Sequence, residues 1–166
     1  MTSMFHPCEI SICGFSGSGK TTLVTRLIQH FAPKYRVGYI KHSEHDFDID
    51  HNGKDTTKAK DAGAIQVFIT NDKKTAMMTS GPIDLVHQNT AFDVCDFVLV
   101  EGFRHAEIPK ILVLNDDATV SHEFIDAQGG LVIARIGGHP KSYESLQYFN
   151  RNAISNIADF ILETFQ

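Results

Sequence analysis

Apolar residues along this chain gather into short, mostly unbroken runs separated by longer amphipathic or polar stretches. The runs at 9–13, 36–40, 65–69, 75–78, 97–100, 111–114 and 131–134 read as strands. Because several are continuous rather than alternating, they predict strands covered on both faces. Between them lie helical patterns. Residues 22–31 place Leu23, Val24, Leu27, Ile28 and Phe31 on one face, and residues 152–165 do the same with Ile154, Ile157, Ala158, Ile161 and Phe165. Residues 55–62 end at Gly63, a residue suited to stopping a helix. Residues 82–87 begin with Pro82, which a first helical turn tolerates. Strand and helix alternate, which predicts an α/β domain with a mostly parallel sheet. The alternation breaks between residues 64 and 79, where only Asn71-Asp72-Lys73-Lys74 separates two strand-like runs. That spacing predicts an antiparallel hairpin, whose free edges can pair with a second subunit.

Composition narrows the class. At 166 residues the chain fits one domain with a real core, and 42% apolar with 21% charged residues is an ordinary globular balance. No repeat or linker interrupts it, so residues 1–166 are read as a single nucleotide-binding domain for the reasons given next. A net charge of −5 argues against broad nucleic-acid binding, which needs concentrated Lys and Arg. Three cysteines without a C-x-x-C pair suggest reduced thiols. With no export signal at the start and no apolar run near the roughly 20 residues of a membrane span, a cytoplasmic protein that does not use a membrane is expected.

The chemistry concentrates at strand ends. Gly14-Phe15-Ser16-Gly17-Ser18-Gly19-Lys20-Thr21-Thr22 follows the first strand and opens the first helix. It fits G-x-x-x-x-G-K-[ST], in which glycines let backbone N–H groups turn around phosphate oxygens. Lys20 is placed to reach the outer phosphates and the Thr21 hydroxyl to ligate Mg²⁺. Strand, loop and helix in that order aim a helix N-terminus at the anion. The run Phe97-Val98-Leu99-Val100-Glu101-Gly102 then supplies a carboxylate where a strand leaves the sheet. Glu101 is expected to serve the magnesium or water side, with Gly102 letting backbone approach the outer phosphate.

The densest polar cluster, residues 41–51, begins where the second strand should end. Asp46, Asp48 and Asp50 can support Mg²⁺ through water, while His42, His45 and His51 leave a transition metal or phosphate and partner contacts as alternatives. Lys54, Lys58 and Lys60 suit either a bound anion or an exposed helix with charge pairs. Arg104 and Lys110 are either offsets to phosphate charge or solvated surface.

Taken together, the chain resembles the molybdopterin-guanine dinucleotide biosynthesis adapter proteins, the MobB family. The resemblance runs through residues 14–22, Val37-Gly38-Tyr39-Ile40-Lys41-His42 with His45-Asp46-Phe47-Asp48-Ile49-Asp50, Gly53-Lys54-Asp55-Thr56, Ala62-Gly63-Ala64, Val98-Leu99-Val100-Glu101-Gly102-Phe103 with Ile108-Pro109-Lys110, and the closing helix. It implies a P-loop NTPase sandwich of three layers, with helices on both faces of a mostly parallel sheet and a hairpin added. It further implies a homodimer that binds GTP with Mg²⁺, hydrolyses it slowly, and assists the guanylyltransferase that attaches GMP to molybdopterin. By position, Lys20, Thr21 and the loop backbone would bind phosphate and metal. Glu101 would serve the magnesium or water side, with the segment from Asp46 through Asp48 to Asp50, and Asp55, contributing at the same site. Glu44, Asn52, Lys58 and Lys60 depart from residues frequent in the family, and no N-K-x-D motif stands ready to read guanine; Asn115-Asp116 is a fragment of one. A small-molecule kinase using ATP and a metallochaperone GTPase are the competing readings. A kinase needs a covering lid with arginines, and this chain has no arginine-rich lid segment.

Overall fold

A computed structural model describes residues 5–43, 55–79, 90–115, 131–138 and 146–166. The chain divides into two compact units, Met1–His42 with Gln88–Gln166, and Ser43–His87. The first contains strands β1 (Glu9–Cys13), β2 (Val37–Lys41), β5 (Phe97–Glu101), β6 (Lys110–Val113), β7 (Val132–Ile136) and β8 (Gln147–Phe149), with helices α1 (Lys20–Phe31) and α3 (Ile154–Thr164). The second contains helix α2 (Asp55–Asp61) and strands β3 (Gln66–Thr70) and β4 (Thr75–Thr79).

The six strands of the first unit form one sheet in the order β2-β5-β1-β6-β7-β8. Every neighbouring pair is parallel. Strand alternation then sorts side chains by face. Ile10, Ile12, Phe97, Leu99, Ile111, Val113, Ala134 and Ile136 point to the face on which both helices lie, where they meet Leu23, Val24, Leu27 and Phe31 of α1 and Ile157, Ala158 and Ile161 of α3. The predicted apolar faces of both helices are the buried ones, with Ile28, Ile154 and Phe165 packed at their margins. Each fully buried Leu or Phe there contributes about 1.5–3 kcal/mol relative to exposure. On the opposite face Val98 and Val100 pack with Phe5, Ile108, Phe92, Phe103 and Ala106.

The expected α/β architecture is therefore present, and α1 begins at Lys20, two residues earlier than its apolar pattern predicts. Strand β8 escaped the sequence reading because its three residues are Gln147, Tyr148 and Phe149, of which only Phe149 is buried. The expected helix at 82–87 lies outside the described residues.

In the second unit the predicted hairpin is a separate antiparallel sheet, with Val67 opposite Met78 and Phe68 opposite Met77. Helix α2 stops as expected at Gly63, whose φ of 103° is left-handed. The Gly63 N–H donates to the Lys60 carbonyl and the Ala64 N–H to the Ala59 carbonyl, which satisfies two carbonyls at the helix end.

Candidate functional site

β1 lies mid-sheet between β5 and β6, so the loop leaving it emerges beside the ends of both. Gly14 starts that loop at φ 145°, and a Cβ there would stand 2.1 Å from the Val113 carbonyl oxygen. Only glycine fits so close to the end of β6. Gly19, at φ 88°, is the N-cap of α1, with no side-chain hydrogen bond capping the helix and no acidic residue in its first turn. The first-turn N–H groups and the positive end of the helix dipole are thus left for an external anion.

Lys20 turns back over this loop and donates to the carbonyls of Gly14 at 3.0 Å and Phe15 at 2.6 Å. Ser18 is buried, and its hydroxyl has no hydrogen-bond partner among the described residues. A buried polar atom without a partner is costly unless something supplies one.

Glu101 is brought to the loop by strand parity. It follows Phe97 and Leu99 on the helical face of β5 and is only 5% exposed. Its Oε1 accepts a hydrogen bond from the Thr21 hydroxyl at 2.8 Å. Its Oε2 accepts one from the Tyr39 hydroxyl at 2.9 Å, and the Lys41 ammonium lies 3.4 Å from Oε1. The register that sets Lys41 opposite Glu101 and Tyr39 opposite Leu99 places these groups on one face. Desolvation by burial, and then the hydrogen bond to Glu101, push the Tyr39 phenol up to about 12, so it stays a proton donor.

Gly102 follows at φ 94°, with the His42 carbonyl 3.2 Å from where a Cβ would be. Its N–H donates to the Ile12 carbonyl and its carbonyl accepts from the Ser11 hydroxyl at 2.6 Å, which locks the end of β5 onto β1. Phe103, at φ 51°, is the one non-glycine residue with positive φ among those described, and its ring packs against His42 with centroids 4.2 Å apart and planes tilted by 42°. Strained backbone of this kind collects at functional sites.

Of the expected site residues, the structure brings together Gly14, Ser16, Gly17, Ser18, Gly19, Lys20, Thr21 and Thr22 in the loop and first turn, with Glu101 and Gly102 beside them. Asp46, Asp48, Asp50, His45 and His51 lie outside the described residues. Asp55 stands fully exposed on α2, paired with Lys58 at 3.1 Å, so the charge-pair reading of that helix holds for this lysine. Lys110 is neither a phosphate contact nor surface. It opens β6, at the end of the strand away from the loop, and is fully buried there. Its ammonium donates to the Ala106 and Ile108 carbonyls, and burial lowers its pKa.

Tyr39 and Arg151 were not read from the sequence as members of the site, and Lys41 was read only as the start of the polar cluster at 41–51. Arg151 donates through Nη1 to the Ser18 carbonyl at 2.5 Å and through Nη2 to the Leu114 carbonyl at 2.6 Å. No spacing signal links residues so far apart in the chain.

The fold that carries this loop is shared with known proteins. Residues 9–136 match the family model for molybdopterin guanine dinucleotide synthesis protein B. The chain belongs to the MobB family. It is 39% identical to the molybdopterin-guanine dinucleotide biosynthesis adapter protein of Haemophilus influenzae, covering 92% of this chain and 86% of that one. It is 35% identical to the adapter protein of the same name in Escherichia coli, covering 95% and 93%. Among solved structures, a MobB crystal structure superposes with a TM-score of 0.69 at 26% identity over 95% of this chain and 98% of its own. Bacillus subtilis MobB superposes at 0.72 and 22% identity over 96% and 98%, a likeness in fold. The P-loop α/β fold inferred from the sequence is thus the fold of the MobB family, and membership favours the adapter reading over the kinase and metallochaperone readings.

Proposed function

We propose that this protein is a GTP-binding adapter in molybdenum-cofactor biosynthesis, one that assists the guanylyltransferase attaching GMP to molybdopterin. The observation that carries the nucleotide part is the 2.8 Å contact between Thr21 and Glu101 at the mouth of the glycine loop. A hydroxyl and a carboxylate oxygen are hard donors of the kind Mg²⁺ takes. The buried Ser18 hydroxyl and the uncapped start of α1 suit phosphate oxygens. These residues fit both groups.

In this reading the backbone of Gly14, Ser16, Gly17, Ser18 and Gly19 cradles the phosphates, with the N–H groups of Lys20, Thr21 and Thr22 behind them. Lys20 neutralises the outer phosphate charge, and Thr21 with Glu101 holds the magnesium shell and orients water. Asp46 and Asp48 belong to the same proposal on the metal side. Bound Mg²⁺ would supply Lewis-acid charge to the outer phosphates. Tyr39 and Lys41 hold the Glu101 side chain in place. Hydrolysis is slow, and the change from GTP to GDP resets the surface offered to the partner. The guanine preference is supported by family membership, the homodimer by the exposed Phe68, Ile69 and Met77 of the hairpin, and the cytoplasmic location by the biosynthetic role. Residues 1–166 act as one nucleotide-binding domain.

The reading is tested by reconstituting GMP attachment with the guanylyltransferase, molybdopterin and GTP, with and without this protein and its Lys20→Ala variant. Stimulation by the native protein and loss of it in the variant are expected. Equal product in all three reactions would overturn it. A switch further requires that GTP and GDP give different affinities for the guanylyltransferase, and equal affinities would remove that step.

A further inference from the structure

We propose that Arg151 is a positioning residue for the phosphate loop, holding the Ser18–Gly19 peptide so that its N–H faces the phosphates of a nucleoside polyphosphate. The inference rests on the reading of the loop as a nucleotide site and adds a residue that lies outside the loop motif.

Arg151 stands between β8 and α3, half-buried, with its guanidinium between two carbonyls from distant parts of the fold. Ser18 supplies one from the loop, and Leu114 supplies the other just past the end of β6. Two glycines make room for it. A Cβ at Gly19 would come within 2.6 Å of Nη1, and one at Gly137 within 3.2 Å of Nη2. Both glycines have positive φ, 88° and 75°. The phosphate loop, the end of β6 and the end of β7 therefore converge on one side chain.

The chemistry follows from peptide geometry. A loop that turns its N–H groups toward an anion must turn its carbonyls outward, and those carbonyls need donors. The Ser18 carbonyl belongs to the same peptide unit as the Gly19 N–H. A guanidinium on that oxygen fixes the plane of the peptide and polarises it, which strengthens the N–H as a donor to phosphate. Arginine suits the task because its planar fork reaches two acceptors at once, whereas lysine offers a point charge. The neighbouring Asn152 makes a separate tie, accepting from Arg26 of α1 at 3.0 Å, which gives a control on the same segment.

The test measures Mg²⁺-dependent affinity for a fluorescent guanine nucleotide in the native protein and in Arg151→Ala, Arg151→Lys and Arg26→Ala, alongside their melting temperatures. Arg151→Ala and Arg151→Lys should weaken binding by roughly 10- to 100-fold, the scale of losing charge-assisted hydrogen bonds. Added ethylguanidinium should restore part of the affinity of Arg151→Ala, and Arg26→Ala should bind as the native protein does. Native affinity in Arg151→Ala would overturn the proposal. Full affinity in Arg151→Lys would do so too, by showing that charge alone suffices. Should Arg151→Ala fail to fold, Arg151→Lys, which keeps the aliphatic stem, decides. If the native protein bound no nucleotide, the functional reading itself would fail. Amide hydrogen exchange at Gly19 would then test the tie alone, with faster exchange in Arg151→Lys supporting it and equal exchange refuting it.

Discussion

Replacing Tyr39 by phenylalanine removes one oxygen and leaves the ring. In the structure that oxygen donates at 2.9 Å to Oε2 of Glu101, whose other oxygen accepts from Thr21 at 2.8 Å. Glu101 is buried, so the lost donor is a partner of a largely desolvated carboxylate. Hydrogen bonds to charged groups contribute about 1.5–3 kcal/mol. Tyr39 is 39% exposed, so water replaces part of the bond, and about 1 kcal/mol is the reasonable share. For a domain of this size that lowers the melting temperature by roughly 2–4 °C. Where Glu101 serves the magnesium shell, the same loss raises the Mg²⁺ concentration for half-maximal GTP hydrolysis by about fivefold. The assay is a Mg²⁺ titration of single-turnover hydrolysis, with a thermal melt of the same samples. Because the Tyr39 phenol is pushed up to about 12, the difference between native and variant should stay constant from neutral into mildly alkaline pH. An unchanged Mg²⁺ dependence, or a difference that vanishes as pH rises through the mildly alkaline range, would refute the reasoning.

Other perturbations separate loop, core and hairpin. Gly14→Ala should abolish nucleotide binding and lower stability by at least about 2 kcal/mol, measured by chemical denaturation, because its Cβ would stand 2.1 Å from the Val113 carbonyl. Cys13 is buried and its thiol is pushed up to about 11 by desolvation, against 9.0 when unfolded, with Lys110 and Lys20 opposing the shift. The folded state therefore holds a proton that the unfolded chain loses, so stability is fully present below pH 9 and falls as pH rises toward 11. Cys13→Ala should flatten that fall, worth about 3 kcal/mol at most, in denaturation curves across the window. On the hairpin, Phe68 and Met77 are cross-strand neighbours at 61% and 43% exposure. Phe68→Ser with Met77→Ser should weaken self-association in sedimentation equilibrium without lowering nucleotide affinity, whereas an unchanged oligomer would exclude this face as the dimer contact.

The parts legible in the sequence were those with a local signal. β1, its glycine loop and α1 are specified by a fixed spacing and an apolar face of period 3.6, and Leu23, Val24, Leu27 and Phe31 are buried accordingly. Glu101 was legible because an acid ending an unbroken apolar strand stands out. Tyr39 was not, since a tyrosine in a strand is an ordinary strand former and its partner lies one strand away, a register that only the folded sheet defines. Lys110 misled because its local surroundings resemble a polar loop, yet the strand it opens is covered on both faces and carries its ammonium inward to backbone carbonyls. Arg151 carried no signal for the same reason in stronger form, its partner being 133 residues away.

The central claim, a phosphate loop that holds GTP for an adapter role, is tested most directly by competition of GTP, GDP and ATP against a fluorescent guanine nucleotide with Mg²⁺, on the native protein and on Lys20→Ala. The account predicts a strong preference for GTP over ATP in the native protein and its loss or weakening in the variant. ATP binding as tightly as GTP, or Lys20→Ala binding like the native protein, would contradict it.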